Sequence, residues 1–258
     1  MKRTFLNHDK PLVTAMIENT TLAGCLSDMR IGLYEGADAY AVNFALLDPE
    51  CGEPENMKKI LYCTSLPIMF FAYREYNLAF VDDDARAAVQ LKAAELGVTG
   101  CDVMGDLFNP AEMQLTKDPG AIRKQKELIS RLHELGAEVI MSSHTKVPVT
   151  PEYALEHLSR MADRGADIAK LVAYANTPEE FVQAVETTRL LKEKLPVPFI
   201  YLCSGKYGPM HRYVSAALGS AITFTAPVYR DQVKGYQPLL RNARATVDEL
   251  LRGIDFVP

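Results

Sequence analysis

Four times along the chain a charged, helix-forming stretch ends in a glycine and gives way to a short apolar run. The four junctions are Gly36-Ala37-Asp38, Gly97-Val98, Gly136-Ala137-Glu138 and Gly165-Ala166-Asp167. A glycine at such a place suits the left-handed backbone that closes a helix, so each junction marks a helix end and, within a few residues, a strand start. A chain built of repeated helix-to-strand junctions is a βα repeat, and that excludes most other architectures.

In order, the first strand is Leu12–Ile17 and its helix runs from about Thr21 to Tyr34. The second strand is Ala39–Leu46, followed by a loop with proline and glycine and a helix near Glu55–Cys63. The third strand, Ile68–Tyr73, precedes a helix at Asp83–Leu96, and the fourth, Cys101–Leu107, precedes one at Pro119–Leu135. Glu138–Ser142 is the fifth strand, and Thr150-Pro151 opens its helix as a cap with proline at the first helical position. The sixth strand carries Lys170, and Thr177-Pro178-Glu179-Glu180 begins its helix as a capping box. Phe199–Cys203 is the seventh strand, with a helix from near Pro209; Ala221–Ala226 is the eighth, with a last helix at Leu239–Arg252. Eight βα units in 258 residues have the count and size of a (β/α)8 TIM barrel, read as one α/β domain over residues 1–258. A doubly wound open sheet is the alternative, but it calls for a glycine-rich phosphate loop, and neither GxGxxG nor GxxxxGK[ST] is present.

Composition narrows the function. The formal charge is -5 with no block of Lys and Arg, which argues against a general nucleic-acid binder. No apolar run approaches the ~18–20 residues a membrane helix needs, so no membrane association is expected. After Met1-Lys2-Arg3-Thr4-Phe5 no apolar segment follows, so no signal peptide is visible. The 5 cysteines show no CxxC spacing and read as reduced thiols of a cytoplasmic protein. The 5 histidines have no metal-ligand spacing, and no metal, nucleotide, flavin or other cofactor is implied. A homodimer is compatible with the sequence, which gives no handle on assembly.

In a barrel of this kind chemistry sits at the C-terminal strand ends. Polar residues expected there include Asn43, Arg74, Asp106, His144, Lys170 and Ser204. Lys170 interrupts the apolar run Ile168–Ala173. An ammonium inside a covered strand is costly unless it is paired, reaches solvent, or loses its proton and becomes a nucleophile. His144 follows Val139-Ile140-Met141-Ser142-Ser143 and is either a structural histidine or a group that moves protons near neutral pH. Together they point to one chemistry, in which an amine forms a Schiff base with a substrate carbonyl and a histidine carries the protons. Asp106 is placed to orient His144. Arg74 and Arg212 are placed to hold a carboxylate, which guanidinium forks bind bidentately.

These residues resemble the type I 3-dehydroquinate dehydratase family over most of the chain. Val139-Ile140-Met141-Ser142-Ser143-His144 is similar to the family's catalytic-histidine strand, and Ala166-Asp167-Ile168-Ala169-Lys170 to its Schiff-base strand. Tyr73-Arg74 matches its arginine after the third strand. Arg212 with Leu218-Gly219-Ser220-Ala221-Ile222-Thr223-Phe224 matches its carboxylate-binding arginine and final strand. The resemblance implies a (β/α)8 barrel that dehydrates 3-dehydroquinate to 3-dehydroshikimate, a shikimate-pathway step, through a lysine imine. There are departures. Ala41-Val42-Asn43 stands where the family has Glu-x-Arg in the second strand, and Asp106 stands, after a one-residue gap, where the fourth strand has a glutamate paired with the histidine. Gln237 is aligned with the family's closing-loop glutamine, and the loop's serine has no equivalent. The imine machinery is thus expected to be kept while half of the substrate contacts differ.

Three readings follow from the residues. The first is the family dehydratase, with Lys170, His144 and Asp106 in catalysis and Arg74, Arg212, Asn43 and Gln237 on a small carboxylated carbonyl substrate. The second is a class I aldolase or other imine-forming lyase acting on a different carboxylated hydroxy-ketone. The third is a non-catalytic homologue that binds a metabolite. Val228–Gln237, before the last helix, is expected to be a mobile lid.

Overall fold

The computed structural model describes residues 3–74, 82–229 and 237–253. Among these are eight parallel strands, β1 (Leu12–Ile17), β2 (Ala39–Asn43), β3 (Ile68–Phe71), β4 (Gly100–Met104), β5 (Glu138–His144), β6 (Ile168–Tyr174), β7 (Phe199–Ser204) and β8 (Ile222–Thr225). Eight α-helices alternate with them, α1 (Leu22–Tyr34), α2 (Pro54–Tyr62), α3 (Asp83–Glu95), α4 (Pro119–Glu134), α5 (Pro151–Ala162), α6 (Pro178–Lys194), α7 (Gly208–Ala217) and α8 (Leu240–Leu250). The ladder runs β8-β1-β2-β3-β4-β5-β6-β7. At its ends the Ala221 N–H donates to the Phe199 carbonyl at 2.8 Å and the Tyr201 N–H to Ser220 Oγ at 3.3 Å, which draws β7 and β8 together. The architecture is the nearly closed (β/α)8 barrel expected from the repeat.

The glycine junctions show how sequence sets the repeat. Gly36 and Gly165 have φ of 88° and 101°, and the alanine after each donates its N–H back to the carbonyl four residues before the glycine, Ala37 to Gly32 at 2.9 Å and Ala166 to Met161 at 3.3 Å. That is the helix-closing arrangement in which glycine avoids the Cβ penalty of positive φ. The aspartate that follows has a separate task. Asp38 accepts the Val13 N–H at 2.9 Å and Asp167 accepts the Val139 N–H at 2.7 Å, so each ties its strand start to the foot of the preceding strand. Helix starts are fixed as firmly. Thr21, Asp82, Asp118 and Thr150 each accept a backbone N–H of the first turn, and Thr177 with Glu180 forms the capping box. Such caps contribute about 1 kcal/mol each.

Strand side chains alternate between the helix layer and the barrel interior. Val139, Met141, Ala169 and Leu171 are fully buried beneath the helices, each large side chain contributing about 1.5–3 kcal/mol. The other face of the same strands carries Ser142 and Lys170, level with each other in the register.

Several strand boundaries differ from the sequence reading, among them the end of β3, which stops at Phe71 and leaves Tyr73 beyond it. β2 ends at Asn43, and Phe44–Leu46 turns into a 3-10 helix. β4 ends at Met104, and the chain turns at Gly105, where a Cβ would lie 2.6 Å from the Gln114 carbonyl oxygen and 2.9 Å from Ser143 Oγ. β5 runs two residues further than expected and includes His144. Most of the stretch expected to form a lid, residues 230–236, lies outside the described residues. Among the described residues no helix is long and apolar enough to cross a membrane.

Candidate active site

Pairing of β4 with β5 and of β5 with β6 puts Asp102, Ser142 and Lys170 on one face, inside the barrel. Lys170 is 5% exposed, so its ammonium must be partnered. Its Nζ donates to Tyr73 Oη at 2.6 Å and to Asp102 Oδ2 at 3.0 Å. The Tyr73 hydroxyl donates in turn to Asp102 Oδ2 at 2.5 Å, and the Ser142 hydroxyl to Asp102 Oδ1 at 2.5 Å. The rings of Phe224 and Tyr73 flank the ammonium at 4.8 and 5.2 Å. Burial pushes the Lys170 pKa below the usual lysine value; Asp102 pulls it back up, and Arg212 adds to the lowering.

His144, at the end of β5, packs its ring edge-on against Tyr73 with centroids 4.9 Å apart. Its backbone N–H donates to Gln114 Oε1 at 2.8 Å, and its Nδ1 faces the same oxygen at 3.3 Å. An atom that accepts from a backbone N–H is an acceptor, so Nδ1 must be the protonated ring nitrogen, and Nε2 keeps the lone pair. Burial, with the positive charges of Lys170, Arg212 and Lys146, holds the His144 pKa well below the usual histidine value. The ring is therefore a neutral imidazole near neutral pH, with an unprotonated Nε2 free to accept a proton.

Asp106 does not orient His144. Beyond the turn at Gly105, its Oδ1 accepts from Arg74 Nη1 at 2.7 Å and its Oδ2 from the Ala111 N–H at 2.9 Å. Arg74 is largely committed as well, since Nε and Nη2 donate to Asp83 at 3.0 and 2.5 Å and Nη2 also reaches the Asp106 carbonyl at 2.8 Å. This cluster joins the end of β3, the start of α3 and the loop after β4. From the other side Arg164 grips the loop, donating to the carbonyls of Gly105 at 2.8 Å and Thr116 at 2.6 Å. The loop held in this way is the one that presents Gln114 to His144. The carboxylate expected to touch the histidine acts at one remove, and an amide takes its place.

Lys170, His144, Arg74, Arg212 and Gln237 line one cavity of about 420 Å³, together with Tyr73, Met104, Gln114, Lys146 and the apolar Met16 and Phe71. Arg212 on α7 is buried and donates Nε to the Cys203 carbonyl at 3.2 Å. Gln237 has a buried Oε1 with no hydrogen-bond partner among the described residues. Asn43 stands apart: it is fully buried, neither its Nδ2 nor its Oδ1 is paired among the described residues, and it is not among the residues lining the cavity. No group of three or more His, Cys, Asp or Glu among the described residues is arranged to hold a metal ion.

Sequence reasoning missed Asp102, Gln114 and the hydroxyl of Tyr73. Asp102 carried a signal, being a charge in the apolar run Gly100–Met104, as Lys170 is in its own strand. Gln114 carried none, since its place depends on the course of a loop and on its own positive φ of 49°.

Comparison with known proteins bears on the family and the fold. A 3-dehydroquinate dehydratase of Klebsiella pneumoniae is 31% identical over 165 residues, 62% of this chain and 61% of that protein. One of Alkaliphilus oremlandii is 38% identical over 102 residues, 38% of this chain and 40% of that protein. The matches thus span between 40% and 61% of these relatives' length. Among solved structures, the 3-dehydroquinate dehydratase of Geobacillus kaustophilus superposes with a TM-score of 0.80 at 15% identity, covering 98% of this chain and 96% of that one. The type I enzyme of Clostridium difficile, solved with covalently modified comenic acid, gives 0.78 at 18%, covering 96% and 95%. At such identities these two establish the shared fold. The type I 3-dehydroquinase family matches residues 19–240, and the chain belongs to that family.

Proposed function

We propose that this chain, working as a single barrel domain, dehydrates 3-dehydroquinate to 3-dehydroshikimate through an imine on Lys170. The observation that carries the reading is the pairing, on one cavity, of a buried lysine of lowered pKa with a neutral histidine whose Nε2 carries the free lone pair. Neutral Nζ attacks the carbonyl carbon, water leaves, and the protonated imine draws electrons from the adjacent carbon. His144 Nε2 takes the proton from that carbon, the enamine expels the β-hydroxyl, and His144 returns the proton so that the hydroxyl leaves as water. Hydrolysis of the imine then frees the product and Lys170. Arg212 and Gln237 receive the substrate carboxylate and a neighbouring polar group, while Arg74, held by Asp83 and Asp106, contributes positive charge at the rim. The relative solved with covalently modified comenic acid supports covalent chemistry on this scaffold. Four buried thiols and one exposed thiol, Cys63, support a reducing, cytoplasmic setting.

A second reading is favoured by the cavity wall. Met104, not a carboxylate, lines the cavity at the end of β4, and Asn43 is buried outside it. A site built to hydrogen-bond hydroxyls rejects analogues that lack them, and the converse loss leaves room for a less hydroxylated keto acid. An imine-forming lyase for such a compound, a class I aldolase included, would use the same Lys170 and His144.

Incubation with 3-dehydroquinate separates the two. Loss of water with appearance of the conjugated enone, abolished in Lys170→Met, supports the dehydratase. Release of an aldehyde fragment, or inertness toward 3-dehydroquinate with turnover of another keto acid, supports the second reading.

A further inference from the structure

Beyond the lysine and the histidine, we propose that Tyr73 is a third catalytic residue, relaying protons between Lys170 Nζ and Asp102 while the imine forms and hydrolyses. The inference rests on the imine reading above. Its ground is the position of one hydroxyl. Tyr73 Oη is 2.6 Å from Lys170 Nζ and 2.5 Å from Asp102 Oδ2, so it accepts from the ammonium and donates to the carboxylate at once. Tyr73 lines the cavity, whereas Asp102 is 1% exposed and does not. The carboxylate is a proton store sealed beneath the reacting nitrogen, and Tyr73 joins that store to the cavity.

The proton count balances. Lys170 gives a proton to Tyr73 Oη as Tyr73 gives its own to Asp102, so an ammonium and a carboxylate become an amine and a carboxylic acid. That removes the buried charge pair at the moment a neutral nucleophile is needed. The amine attacks, the C–N bond forms, the carbonyl π pair moves to oxygen, and a proton passes from nitrogen to that oxygen. Asp102 then returns its proton through Tyr73 to the hydroxyl, the C–O bond breaks, and water leaves. Of the ammonium's three protons one remains on the iminium and two depart in the water. His144 touches Tyr73 through ring packing and has Gln114 on Nδ1, so it stays available for the proton on carbon. Among the described residues, the charged or titratable groups facing Lys170 are Asp102 from β4, Tyr73 beyond β3, His144 from β5 and Arg212 from α7. Among these, Asp102 and Tyr73 hydrogen-bond to Nζ.

The test is the rate at which borohydride traps the Lys170 adduct of 3-dehydroquinate in wild type, Tyr73→Phe and Asp102→Asn, from about pH 6 to about pH 10. Tyr73→Phe is expected to slow trapping by roughly 100-fold near neutral pH, the size of a general acid–base contribution. The gap should narrow as pH rises, because Lys170 then loses its proton to solvent and the relay is bypassed. Asp102→Asn, which cannot store the proton, should behave likewise. Should that variant fail to fold, Tyr73→Phe, which lacks only the hydroxyl, decides alone. Trapping as fast as wild type, or slowed by one factor at every pH as a packing defect would slow it, overturns the relay. Absence of any wild-type adduct overturns the imine reading and the relay with it. An adduct in wild type that is missing in Lys170→Met keeps the reading and leaves the relay to be judged on Tyr73→Phe.

Discussion

Gln114 Oε1 accepts the His144 backbone N–H at 2.8 Å and meets Nδ1 of the same residue at 3.3 Å. One amide oxygen thereby sets both the position of the histidine and its tautomer. A catalytic histidine more often leans on a carboxylate, which would also stabilise the imidazolium. Here the support is neutral, and the surrounding cations oppose protonation.

Replacing Gln114 with Leu should therefore cost roughly 10-fold to 100-fold in kcat, because the wrong tautomer and ring rotations become accessible. Imine trapping on Lys170 should change little. Parallel steady-state and trapping measurements check this, and equal losses in both would assign Gln114 to loop structure alone.

Asp106→Ala should act on stability first. The substitution leaves Arg74, partly buried, without one of its two carboxylate partners and frees the Ala111 N–H, at a cost of about 2–3 kcal/mol after allowing for solvent access. The midpoint of urea unfolding reads that loss. The pH at which turnover is half-maximal should stay where it is, since Asp106 does not touch His144; a shifted profile would restore the direct role for this carboxylate.

How much of this was legible in the sequence depended on the range of the interactions involved. Gly165 and Thr177 act on their own helix ends, and both were readable. That Lys170 and His144 line one cavity was readable because a charge within an apolar strand, or an imidazole at the end of one, has few alternatives. Asp106 was misplaced because the fourth strand was extended to Leu107, whereas Gly105 turns the chain so that Asp102 faces the barrel interior and Asp106 faces Arg74. Arg74 was expected to meet a substrate carboxylate, but two protein carboxylates, at positions 83 and 106, already occupy it. Pairings between distant loops have no local signature.

Stability should fall with acid well before carboxylates titrate. His157 and His211 are buried, and burial lowers each pKa to about 4. As pH drops through the unfolded value of about 6.5, the unfolded chain gains protons that the folded chain refuses, so stability present above that pH is lost toward pH 4. Each histidine contributes a slope of up to about 1.4 kcal/mol per pH unit in that window. Burial would raise Asp83, but hydrogen bonds from Arg74 and the Phe108 N–H hold it below the usual carboxylate range, so its loss comes at lower pH. Unfolding midpoints measured from about pH 7 to about pH 4 check the claim, and a flat profile would contradict it.

Lys170 and Asp102 should show coupling. Lys170→Met leaves a buried carboxylate that keeps, among the described residues, the hydroxyls of Tyr73 and Ser142, and it should lose about 3 kcal/mol while remaining folded. Adding Asp102→Asn should recover part of that loss, so the double-mutant cycle gives a coupling above about 1 kcal/mol. Additive losses would mean that the pair is not a unit.

The central claim is that Lys170 makes a covalent imine with a carboxylated carbonyl substrate. Its most direct test is to mix the protein with 3-dehydroquinate, reduce with borohydride and read the mass of the modified peptide. The account predicts a stable adduct on Lys170, part of it lighter by one water, and none in Lys170→Met. A folded, wild-type protein that gains no mass on Lys170 would contradict it.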